Sequence, residues 1–115
     1  MTFSIAARCG RSGRFGIIVT SSSPAVAARC AHARARVGAA ASQNVTDPSL
    51  GHLLLDLLGS GLSAPEAMTQ LVGTAANAQF RQLTCVDASG LVASYSGDVN
   101  FNPNDSKPRT QVVEP

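Results

Sequence analysis

The middle of the chain carries two helix-start signals in close succession, and few folds accommodate two adjoining amphipathic helices set between stretches of alternating polarity. Asp47-Pro48 offers an N-cap carboxylate followed by proline at the first helical position. Leu50, Leu53, Leu54, Leu57 and Leu58 then recur at helical spacing and form one apolar face. Gly59-Ser60-Gly61 ends that helix. Ser63-Ala64-Pro65-Glu66 starts the next with a capping box, in which the serine hydroxyl and the glutamate carboxylate each satisfy a free backbone N–H. Ala67, Met68, Leu71 and Val72 form its buried stripe, and Gly73 closes it. The short connection makes the two helices neighbours.

The flanks read as strands. In residues 2–9, Phe3, Ile5, Ala7 and Cys9 alternate with Thr2, Ser4, Ala6 and Arg8, the period of a half-buried strand. Gly10-Arg11-Ser12-Gly13 is a turn, and residues 14–21, rich in β-branched side chains, return as the second arm of a hairpin. Residues 22–36 read as a connection with at most a short helical turn. Residues 37–44 form a third strand whose small side chains let another layer pack closely. Residues 80–87 and 91–96 flank Ala88-Ser89-Gly90 as a second hairpin. The order β-β-β-α-α-β-β predicts an α+β fold, with helices covering one face of an antiparallel sheet. Residues 1–97 form the domain. Residues 98–115, polar and punctuated by Pro103, Pro108 and Pro115, read as a loosely ordered tail or a partner-docking arm.

With 115 residues there is room for one small domain, and the apolar residues are mainly Ala, Val, Leu and Ile. Small side chains contribute little apolar area each, so association with another subunit is expected. The net charge of +2 is too small to imply nucleic acid, and no aromatic residue lies between Phe15 and Phe80 to stack on bases. Charge is nonetheless uneven. Residues 1–46 hold six arginines and no acid, whereas all seven acidic residues follow. That asymmetry suits an anionic ligand or an acidic partner. Cys9, Cys30 and Cys85 show no C-x-x-C spacing, which fits reduced thiols in a cytoplasmic protein. There is no stretch long and apolar enough for a membrane span, and the first residues lack the pattern of a secretory signal.

No nucleophile elbow, P-loop, zinc-protease helix or EF-hand loop is present. Cys30-Ala31-His32 is a single pair with no second half, so no metal site is expected; His52 reads as a helix-face residue, and no cofactor is implied. Thr2 stands apart. Removal of Met1 leaves its hydroxyl beside its own α-amine at the start of a strand, and an α-amine with a pKa near 8 can accept the hydroxyl proton. Nucleophile and base then share one residue.

The segments MTFSIAAR, GIIVTSS, HARARVGAAASQ, DPSLG, GLSAPEA and FRQLTCVDASGLVASYSG, in this order and spacing, resemble an uncharacterised bacterial family known as domain of unknown function ten-twenty-eight and regarded as Ntn-hydrolase-like. The resemblance covers residues 1 to about 97. It implies an αββα sandwich, two antiparallel sheets between helical layers, with Thr2 in the nucleophile position. Gly38, Ser42, Gln43 and Asn44 are then the candidates for oxyanion or substrate binding. Proteasome-type members of the wider fold place a lysine and an aspartate near the nucleophile. Here the sole lysine is Lys107, Ser22 stands near the acid position, and Arg29 or Arg34 supplies positive potential, although an arginine cannot serve as a neutral base. Arg36 stands where relatives usually have glycine.

The relatives are also longer. The sandwich is therefore expected to be incomplete in this chain and finished by a second chain or another copy, which would cover an exposed sheet edge. The expected activity is hydrolysis of an amide bond in a small intracellular metabolite. The alternative is a non-catalytic subunit that binds an anionic small molecule or serves as a structural component of an oligomer.

Overall fold

The computed structural model describes residues 2–98. The first hairpin pairs β1 (Thr2–Arg8) with β2 (Phe15–Ser21), Thr2 opposite Ser21 and Arg8 opposite Phe15. Two backbone bonds of 2.8 Å, Cys9 N–H to Arg14 O and Gly13 N–H to Cys9 O, close its turn. There follow α1 (Val26–Cys30), β3 (Ala31–Arg34), β4 (Gly38–Asn44), α2 (Pro48–Gly59) and α3 (Ala64–Thr74). A 3-10 turn at Ala78–Phe80 leads into β5 (Arg81–Asp87) and β6 (Val92–Ser96). The last four strands form one antiparallel sheet in the order β3-β4-β5-β6. The protein is α+β with antiparallel sheets.

One strand is not visible in the sequence. Residues 31–34, which read there as part of a connection, fold back on β4, with Ala31 opposite Ala41 and Arg34 opposite Gly38. Two alanines give so short a segment little strand propensity of its own, and the pairing comes from the turn that joins it to β4. That turn is closed by Val37 N–H donating to Arg34 O at 3.1 Å, and it holds Arg36 at φ +64°. A side chain in the left-handed region costs about 1–2 kcal/mol. Glycine removes that strain at about 0.5–1 kcal/mol of extra chain entropy. Arg36→Gly is therefore expected to raise the unfolding free energy by about 0.5–1 kcal/mol, read as a higher midpoint in thermal or urea unfolding. An unchanged or lower midpoint contradicts strain at this turn.

The layers follow from how each strand divides its faces. On one side of the sheet, Ala40, Leu83 and Cys85 pack under α2 and α3 with Leu50, Leu54, Leu58, Ala67, Met68 and Leu71. On the other, Ala39 and Val86 meet Ala6, Phe15 and Ile17 of the β1–β2 ribbon. Ala39, Ala40 and Ala41 are all buried, because β4 lies in the middle of the sandwich and only small side chains let both neighbours approach. Among the described residues the arrangement is helices, sheet, ribbon. Phe3 and Ile18, on the outer face of the ribbon, are 47% and 65% exposed. The predicted tail, Asp98 apart, lies outside the described residues.

Both helix starts form as the sequence implies. Asp47 accepts from Ser49 N–H at 3.0 Å, and the Ser63–Glu66 capping box is complete. The buried face of α2 is turned from the predicted one: Leu50, Gly51, Leu54, Leu55 and Leu58 are buried, while Leu53 faces solvent. Gly51 is the cause. Its bare backbone sits against the ring of His32 on β3, so the helix turns toward the one position able to admit that contact.

Candidate functional site

Alternation along β1 turns Thr2, Ser4 and Ala6 toward the sheet. The space between ribbon and sheet then has two ends. One is apolar, filled by Ala6, Ala39, Val86, Phe15 and Ile17. The other is polar: Ser4 is buried there and accepts a hydrogen bond from Gln43 Nε2 on β4. Gln43 is only 4% exposed, and its Oε1 has no hydrogen-bond partner among the described residues. A buried acceptor without a donor costs about 1–3 kcal/mol.

The polar end opens into a pocket of about 170 Å³. Thr2 and Ser21 come from the paired ends of the hairpin, Gln43 and Asn44 from the end of β4, and Thr46 from the loop that follows. Ser23, Val26, Arg29 and Cys30 close it from the β2–α1 segment. Thr2 Oγ1 lies 3.0 Å from Ser21 Oγ, which also accepts Ser23 N–H at 3.2 Å. Arg29 donates through one terminal nitrogen to Ser23 Oγ and Pro24 O, both at 2.8 Å, and among the described residues is the one charged side chain lining the pocket. Cys30 Sγ lies 3.6 Å from Thr46 Oγ1.

Of the candidate site residues named from the sequence, the fold brings Thr2, Arg29, Gln43 and Asn44 together. The others lie elsewhere. Gly38 and its partner Arg34 are at the opposite end of β4, about 20 Å along the strand from Asn44. Arg34 there pairs with Asp56 at 2.9 Å. A Cβ on Gly38 would come within 2.6 Å of Val86 O and 2.7 Å of Leu58 Cδ1, so its role is close packing. Ser42 is buried, and its hydroxyl donates to Asp47 O at 3.3 Å, which fixes the entry to α2. Ser22 is exposed and does not line the pocket; its neighbours Ser21 and Ser23 do. The hairpin register held the missing signal, since pairing outward from the Gly-containing turn sets Ser21, not Ser22, opposite Thr2.

The ionisable groups near this framework differ in environment. Burial and the adjacent His52, whose ring centroid is 4.5 Å away, both disfavour the charged form of His32 and hold its pKa below the ordinary histidine value. An unfolded chain takes up that proton first, so stability is expected to fall as pH drops below about 6.5. Urea midpoints measured between about pH 8 and 5 check this, and a His32→Leu variant should show a flatter profile. An equally steep profile in the variant contradicts the assignment. Burial, with the Asp87 charge nearby, pushes the Cys85 thiol up to about 12, whereas bonds from Ser12 and neighbouring backbone lower that of Cys9. Among the described residues no group of three or more His, Cys, Asp or Glu side chains could hold a metal ion.

Fold and pocket together define an α+β domain with a polar cleft between two antiparallel layers, opening beside the first strand. The chain belongs to a family of unknown function, DUF1028, whose model matches residues 2–113. It is similar to the crystal structure of a protein of that family from Silicibacter pomeroyi, with 25% identity and a TM-score of 0.83. The similarity covers 89% of this chain and 48% of that one, so the chain spans about half the length of its structural relative. Among curated proteins none matches. No helix among the described residues is long and apolar enough to cross a membrane.

Proposed function

We propose that the protein is an N-terminal-nucleophile-type hydrolase that cleaves an amide bond in a small metabolite, with Thr2 as nucleophile and the α-amine of Thr2, bared by removal of Met1, as base. The observation that carries this reading is the placement of the Thr2 hydroxyl, on the inward face of the first strand and in the polar pocket. Thr2 Oγ1 and Ser21 Oγ are 3.0 Å apart, and when Ser21 is the donor of that bond the Thr2 proton is left to pass to the amine.

In the first step Oγ1 bonds to the carbonyl carbon of the substrate while its proton passes to the α-amine. The resulting oxyanion needs donors, for which Asn44 on the β4 side of the pocket is the candidate, while Gln43 serves substrate binding. Collapse breaks the C–N bond, and the ammonium gives its proton to the departing amine. Water then adds to the ester carbon, losing its proton to the α-amine. The C–O bond to Thr2 breaks, the proton returns to Oγ1, and the acid leaves.

A bacterial cytoplasm suits the three free thiols. The exposed Phe3 and Ile18, with ribbon edges that pair with no further strand among the described residues, support association with a second chain or another copy. A second reading, in which the domain binds an anionic small molecule without cleaving it, is favoured by Arg29 lining a pocket with no acid among its described walls. Intact mass of the protein purified from its own cells separates the two. A chain that starts at Thr2 is expected for the hydrolase, and retained Met1 removes the base and leaves only the binding role.

A further inference from the structure

We infer that this pocket selects an N-acyl amino acid, a small molecule in which a secondary amide N–H lies next to a carboxylate. The inference rests on the hydrolase reading for which bond is cut, but its binding geometry stands separately. Two features define the ligand. Gln43 Oε1 is a deeply buried acceptor with no partner among the described residues, on a side chain that lines the pocket and whose amide nitrogen is already committed to Ser4. It calls for a neutral N–H from whatever enters, because an acceptor removed from water is stabilised only by a donor that comes with the ligand.

Arg29 supplies the second feature. One of its terminal nitrogens holds Ser23 and Pro24, which fixes the guanidinium at the pocket wall while its remaining donors can pair with a carboxylate. With no acidic residue among those described in the lining, an ammonium group has no counter-charge there, so the nitrogen that meets Gln43 is an uncharged amide rather than a free amine. The hydroxyls of Thr2 and Ser21 lie in the same pocket, where the acyl carbonyl of such a ligand reaches the nucleophile.

The test measures binding to a Thr2→Ala protein, which cannot turn the ligand over, using three probes of nearly equal shape. N-acetylglycine has both features, acetoxyacetate replaces the N–H with oxygen, and N-acetylglycinamide lacks the charge. N-acetylglycine is expected to bind about tenfold more tightly than either analogue, the scale of one charge-assisted or buried hydrogen bond. Arg29→Gln should erase the preference for acid over primary amide while keeping the preference over acetoxyacetate. Equal binding of acetoxyacetate overturns the role of Gln43 without any need to substitute that buried residue, and equal binding of the neutral amide overturns that of Arg29. No binding of any probe overturns the whole inference. Binding as described together with an inert Thr2 in the wild-type protein defeats the hydrolase reading alone.

Discussion

Replacing Asp87 with alanine is expected to lower the unfolding free energy by about 3 kcal/mol. Asp87 is 5% exposed and its carboxylate joins two elements. Oδ1 accepts from Ser89 N–H at 2.9 Å and Leu91 N–H at 3.0 Å, which shapes the turn from β5 to β6. Oδ2 accepts from Ala64 N–H at 2.9 Å, a buried donor in the first turn of α3. A carboxylate there also meets the positive end of the helix dipole. Alanine leaves three N–H groups without their acceptor, one of them out of reach of water. A side-chain amide at this position would keep one oxygen for the turn but set an NH2 against the Ala64 N–H, so Asp87→Asn should recover only part of the loss. Urea unfolding of the three proteins measures this, and a cost below about 0.5 kcal/mol for alanine, within the range of ordinary surface changes, contradicts the bridging role.

A comparable loss is expected at Gly51, through a side chain on another element. A Cβ added there would overlap His32 Cδ2 and come within 2.7 Å of Nε2 and 2.8 Å of Cγ. His32 cannot easily yield, being buried on β3 with its ring edge-on to His52 and its Nε2 3.4 Å from Arg29 O. Gly51→Ala should therefore cost about 2–3 kcal/mol despite the better helix propensity of alanine. The cause can be isolated with a double-mutant cycle. In a His32→Ala background the same change should cost nothing or stabilise by up to about 1 kcal/mol, since only the propensity gain remains. Additive effects in the cycle show that the glycine is required for some reason other than this ring. Because β3 leads directly from α1, loss of the contact should also loosen the α1 wall of the pocket.

These two positions show where sequence reading succeeds and where it stops. The starts of α2 and α3 were legible because Asp47, Ser63 and Glu66 act on backbone groups within their own turn, and such chemistry survives translation from sequence to structure without tertiary help. The orientation of α2 was not, since Leu53 and Leu55 are equally apolar and only the His32 ring decides which of them is buried. β3 was hidden for a similar reason: Ala-His-Ala-Arg has no signature until β4 lies alongside it. At the site, Thr2 was legible as the first residue of an alternating strand, whereas Gln43 and Asn44 entered with the family resemblance, alongside Gly38 and Ser42, which lie outside the pocket. Ser21 and Ser23 reach the pocket through the hairpin register, which no linear motif expresses, and of the two arginines named for their charge the short α1 brings only Arg29 to it. Arg34, chosen for its charge, is drawn to Asp56 at the far end of the sheet.

The central claim concerns one hydroxyl, and acylation by a β-lactone reads it most directly, since ring opening places an ester on whichever nucleophile attacks. Peptide mapping after treatment of the processed protein is expected to find the ester on Thr2. Its rate should rise as pH increases through about 8, where the α-amine becomes neutral and can take the proton. Label confined to Cys9, or no label on Thr2 at any pH in a protein that has lost Met1, contradicts the account.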